Sequence, residues 1–203
     1  VNKESSYNSI LSGWGYSILN ISLIETDDIL NMVIGKLKKY LSGKSARKDL
    51  LFELLMFYHY ITQAHMVSVY NPTEDERRSL LPELKSAIEE SASKNTRQGT
   101  IVRDLVRSDY YNVGVVSYLA EGDLSPVDSE EFSRWSKIFF KEEQVLDYIK
   151  KTYLTSYFRI LNALDMIEDQ KVSTYSDAFF PKLWFIHAGR INDYRRILKN
   201  TAE

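Results

Sequence analysis

Leu50 to Tyr70 reads LLFELLMFYHYITQAHMVSVY, apolar on nearly every side, with Glu53, His59, Gln63 and His65 set into it. A helix on a protein surface keeps one polar face, and strands seldom exceed about ten residues. The segment therefore predicts a central helix wrapped by other helices. Glu53 and the two histidines make a lipid-facing position costly, so no membrane insertion of this segment is expected.

The rest of the composition agrees with a globular chain of this kind. At 203 residues it suits one domain with a sizeable core. With 14 Tyr, 9 Phe and 3 Trp it has ample area to bury, which argues against disorder. Only 8 Gly and 4 Pro supply turn signals, too few for an all-β chain of this length. The net charge of −2 offers no general attraction to nucleic acid or anionic lipid. There is no cysteine, which excludes disulfides, thiolate catalysis and Cys-ligated zinc. A reducing cytosol suits such a chain, and a cytoplasmic location is the expectation. Beginning at Val1 rather than Met, the sequence reads as part of a longer parent, in which an upstream membrane anchor or second domain could stand.

Helical patterns account for nearly the whole chain. The first covers Tyr7 to Leu23, weakened by Gly13 and Gly15. Thr26-Asp27-Asp28 then resembles an N-terminal cap for a second helix reaching about Leu41. The central helix is expected from about Ala46 to just before Asn71-Pro72. Thr73 and Glu76 form a capping box for a helix to about Ala92, with Pro82 kinking it or beginning its second half. Ser93 to Gly99 reads as a loop, and Thr100 to Ala120 as one further helix. The stretch from Glu121 to Glu131 is the clearest break, and a subdivision of the single domain would fall near 121–128. A long helical pattern follows to about Glu168, broken near Lys141–Gln144, then a last helix over Thr174 to Lys199 with Pro181 forcing a kink or late start. The fold class expected is all-α, a multi-helix up-and-down bundle around the helix at about 50–70. Its core should include Trp14, Leu51, Leu54, Leu55, Phe57, Tyr58, Ile61, Ile160, Leu161, Leu164 and Trp184.

Motifs for chemistry are sparse. Ser42-Gly43-Lys44-Ser45 lacks the earlier glycine of a phosphate-binding loop, since Lys38 stands there, and it follows a helical pattern instead of a strand. Glu53 is followed three positions later by Met56, so the Glu-x-x-His pattern of di-metal bundles fails. His59 and His65 are six apart, roughly 120° around a helix, and do not easily share an ion. No suitable Arg precedes any of the three histidines, as small helical ribonucleases of the HEPN group would require. Neither a metal nor a cofactor is called for, and the pattern points away from an enzyme. Glu53 is the acid to watch, because an unpaired carboxylate deep in an apolar helix is costly; His59 and His65 are its buried polar companions. Basic residues gather over Lys36–Lys48 and again near the C-terminus. Arg190, Arg195, Arg196 and Lys199, with Tyr194 beside them, form the candidate binding set, since aromatics interleaved with arginines can stack on bases.

The block Tyr153-Leu154-Thr155-Ser156-Tyr157-Phe158-Arg159-Ile160-Leu161, with Leu164, Ile167 and a terminal helix bearing Arg190 and Tyr194, resembles the C-terminal part of bacterial phage abortive-infection proteins. Leu51-Phe52-Glu53-Leu54-Leu55 is similar to an upstream helix of that family. The terminal helix departs from the pattern at Ile191-Asn192-Asp193-Tyr194-Arg195, and no catalytic residue carries over. The resemblance implies a role in antiphage defence. Three functions compete as expectations: a helical interaction or regulatory module with a protein partner or self-association, a nucleic-acid-contacting module using the C-terminal basic helix, and an enzyme with a buried acid at Glu53.

Overall fold

The computed structural model describes residues 3–37, 45–94, 98–120, 147–164 and 176–201. Among them it forms seven helices and no strand: α1 (Lys3–Leu37), α2 (Ser45–Tyr70), α3 (Glu74–Ser93), α4 (Gly99–Arg107), α5 (Asp109–Ala120), α6 (Asp147–Ala163) and α7 (Ser176–Thr201). The all-α expectation holds. One contiguous apolar core draws on all seven helices.

The central position of α2 follows from its all-round apolarity. It packs directly on α1, α3, α4, α5 and α6, and its Phe57 and Tyr58 rings meet His187 and Tyr194 of α7. Leu50, Leu54, Leu55, Phe57 and Tyr58 are wholly buried. Residue pairings give the directions. Asp27 meets Arg47, Glu25 meets Tyr58 and Trp14 meets Tyr70, so α1 and α2 run oppositely. Tyr111 lies by Phe52 and Tyr118 by Phe57 and Tyr60, so α5 follows the direction of α2. Of the expected core, only Ile61 is half-buried; the others are inside. Among the described residues, no helix is long and apolar enough to cross a membrane.

The ends of α2 and α3 are as the residues dictate. Asn71, at φ 42°, takes the left-handed conformation that Asn tolerates and ends α2 before Pro72. Thr73 Oγ1 accepts the Glu76 amide at 3.4 Å, and Glu76 accepts the Thr73 amide at 2.7 Å, completing the capping box. The helix then runs through Pro82, which is exposed.

Two boundaries differ from expectation. There is no break between Leu23 and Thr26, because α1 is one helix of 35 residues. Thr26 caps nothing: its hydroxyl donates to the Ser22 carbonyl at 2.7 Å, a bond made inside a continuing helix. Conversely, Thr100–Ala120 is two helices. Ser108 is extended (φ −62°, ψ 147°) and its carbonyl accepts the Tyr111 amide, so Ser108-Asp109 opens α5 afresh with a carboxylate on its positive end. The loop over 95–97, the 42–44 motif residues, the 121–131 break and the interruption at 141–144 lie outside the described residues.

The glycines of α1 have opposite roles. A Cβ on Gly13 would meet nothing within 4 Å, whereas one on Gly15 would sit 2.6 Å from the Ala87 carbonyl oxygen. Gly15 is what lets α1 and α3 touch backbone to backbone. Gly13→Ala should therefore gain up to about 1 kcal/mol from helix propensity. Gly15→Ala should lose roughly 1–3 kcal/mol, because two helix backbones must separate. Urea denaturation of the two variants reads the contrast; equal shifts of one sign would refute it.

Candidate functional site

Read as one helix, α1 places Trp14, Ile18, Ile21, Ser22, Glu25 and Ile29 on one buried stripe. Glu25 therefore points into the bundle. It is fully buried, and so are the groups it meets. Tyr58 of α2 donates its hydroxyl to one carboxylate oxygen. His187 Nδ1 lies 2.6 Å from the other. Burial, then the adjacent carboxylate, pushes the Tyr58 phenol well above its usual range, so it remains a donor. Next along the seam, Thr62 gives its proton to the Tyr58 carbonyl at 2.8 Å and lies 2.6 Å from the Tyr194 hydroxyl, which must then donate to it. A buried polar chain thus ties α1, α2 and α7 together. The Phe57 and Trp184 rings pack on His187, and its Nε2 has no hydrogen-bond partner among the described residues.

This arrangement moves the buried acid from Glu53 to Glu25. Glu53 is only half-buried and stands outside the chain of hydrogen bonds just described. His59 is buried as expected, with Nδ1 3.0 Å from the Tyr111 hydroxyl. Desolvation, then the positive charge of Lys85, lowers its pKa to about 3. Among the described residues, no three His, Asp or Glu side chains converge as a metal-ligand set.

The C-terminal basic set divides. Tyr194 is wholly buried and cannot stack on a base. Its place on the stripe Leu183, Trp184, His187, Ile191, Tyr194, Leu198 explains this, and that spacing was available to sequence reading. Arg190 is also not a free contact: it clamps Asp28 at 2.6 and 2.8 Å and reaches Asp193 at 3.3 Å. Arg196 lies 3.8 Å from Asp193. The ion pairs of α7 thus use Arg190 and Arg196 and leave Arg195 and Lys199 with no internal counter-charge among the described residues.

Those two cations edge a cleft of about 230 Å³ between α2, α6 and α7. Tyr60, Ile61, Ala64, His65 and Ser68 come from α2; Ile149, Thr152 and Tyr153 from α6; Arg195, Leu198 and Lys199 from α7. Among the described residues, its lining holds no carboxylate and no side-chain amide. Desolvation lowers the His65 pKa, and the Lys199 and Arg195 charges add to this against an opposing hydrogen bond to the Leu198 backbone. His65 is therefore neutral at pH 7. The cleft combines an apolar floor, hydroxyl groups and two cations, a surface fitted to an anion attached to an apolar body. The sequence had marked His65, Arg195 and Lys199, but not Tyr60, Ser68, Thr152 or Tyr153, since only the packing of α6 against α2 brings them to one place. No family model, curated protein or solved structure matches the chain, and the site's own geometry carries the functional reading.

Proposed function

We propose that this chain is a helical interaction module that takes an acidic segment of a partner protein into the α2–α6–α7 cleft. The carrying observation is that, among the described residues, the lining holds no carboxylate and is edged by two cations with no internal counter-charge. Two other readings are less well supported. Nucleic-acid binding relies on many backbone cations and on exposed rings, and here Tyr194 is buried while Arg190 and Arg196 face acids of their own chain. The enzyme reading rests on Glu53, which is only half-buried, while the fully buried acid, Glu25, offers a substrate no exposed surface. A place in bacterial antiphage defence rests on the family resemblance of the Tyr153–Leu161 block, the terminal helix and Leu51–Leu55, and on nothing else.

Fluorescence anisotropy with a labelled peptide combining leucines and glutamates tests the reading. Binding should weaken with salt and fall about tenfold for Arg195→Glu or Lys199→Glu, a change of about 1.4 kcal/mol. Arg196→Glu should have little effect, because that side chain lies outside the cleft. Failure of such peptides to bind, with a single-stranded oligonucleotide binding instead in an Arg195-dependent manner, would refute the proposal.

A further inference from the structure

We infer that the occupant of this cleft is the carboxy-terminal residue of the partner chain, its apolar side chain on the floor and its terminal carboxylate held by Arg195 and Lys199. The inference rests on the binding role proposed above and narrows it to one end of a polypeptide.

Size is the first argument. At about 230 Å³ the cleft falls below the roughly 300–1,000 Å³ of pockets that hold a drug-sized ligand. It has room for about one side chain, not for a run of them.

The second argument is spacing. Arg195 and Lys199 are one helical turn apart on α7, and Leu198 of the floor lies within that turn. A helical turn rises about 5.4 Å. The anion and the apolar group of the occupant must therefore branch from nearly the same atom. In an extended segment, neighbouring side chains point to opposite faces and same-face positions are about 6.6 Å apart. An internal acid next to an internal leucine fits that poorly. A terminal residue fits well, because carboxylate and side chain share one Cα.

Polarity supplies the third argument. Arg195 and Lys199 can only donate. A terminal carboxylate brings two acceptor oxygens to them. An internal residue brings its own N–H groups in place of one of these acceptors. Capture of a chain-terminal carboxylate by clustered donors is an established mode of peptide recognition.

Fluorescence polarisation on the full chain decides the matter with three labelled ten-residue peptides. One ends in leucine with a free carboxylate, the second is its C-terminal amide, and the third is amidated but carries an internal glutamate beside a leucine. The free acid should bind at least about tenfold more tightly than either amide. Arg195→Gln and Lys199→Gln should each remove most of that preference for the free acid over its own amide. Both side chains are exposed, so the variants keep the fold, which a circular-dichroism melt confirms. If the internal-glutamate peptide binds as well as the free acid and still responds to Arg195→Gln, the terminal assignment falls and the acidic-segment reading stands. If none of the three binds, both fall.

Discussion

Glu25→Ala is expected to lower folding stability by about 2–5 kcal/mol, because two fully buried groups lose a hydrogen-bond partner at about 1–3 kcal/mol each. That is a large part of the total stability of about 5–15 kcal/mol that a domain has. The loss comes from what is left behind. Without the carboxylate, the Tyr58 hydroxyl and His187 Nδ1 remain buried with that partner gone, and an unsatisfied buried donor keeps its full desolvation penalty. Glu25→Gln should cost less, since its amide oxygen can still accept one of the two bonds. Glu53→Ala should cost less again, because that residue is only half-buried and Glu25 is wholly buried. Urea unfolding of the three variants orders them; a Glu25→Ala protein within about 1 kcal/mol of the parent would show that the buried chain of hydrogen bonds contributes little to stability.

Acidification should weaken the protein through His59. In the folded chain its pKa is lowered from 6.5 to about 3, so below pH 6.5 the unfolded chain binds a proton that the folded chain refuses. Stability is fully present above the unfolded value and declines as the pH falls toward the folded one. Each pH unit inside that window corresponds to about 1.4 kcal/mol, so at about pH 4.5 the expected loss from this residue is roughly 2–3 kcal/mol. The groups around the ring do not cancel it. Tyr111 is held in its protonated form by burial, and the nearby Lys85 opposes a positive charge on the ring. His59→Gln removes the titration and retains a hydrogen-bonding group toward Tyr111. Chemical denaturation of both proteins at neutral pH and at about pH 4.5 isolates the effect, since carboxylates common to both proteins cancel. The parent should lose stability more steeply than the variant; parallel slopes would mean that His59 is hydrated when charged.

Much of the architecture was legible because it is written in local patterns. The wholly apolar stretch Leu50–Tyr70 could only be central, and Thr73 with Glu76 could only open a helix. Side-chain periodicity also named most of the core. The errors share one cause. Glu25 was hidden because Gly13, Gly15 and Thr26-Asp27-Asp28 look like helix-weakening and capping signals, and cutting α1 there hides the stripe from Trp14 to Ile29. Packing overrides those signals: Gly15 is needed where α1 meets Ala87 of α3, and Thr26 is satisfied by the Ser22 carbonyl within its own helix. Tyr194 was misread for a related reason. Its charged neighbours suggest a surface, yet a residue one step along a helix faces about 100° away.

By itself, then, the sequence determined an all-helical chain, its central helix, most of its core and a cysteine-free chemistry, since these depend on composition and on spacing along one element. Tertiary structure decided which acid is buried, which cations are already matched by acids of the same chain, and where Arg195 and Lys199 meet rings from α2 and α6. Those outcomes depend on groups up to 162 residues apart, as with Glu25 and His187, and no local pattern encodes a distance across the fold.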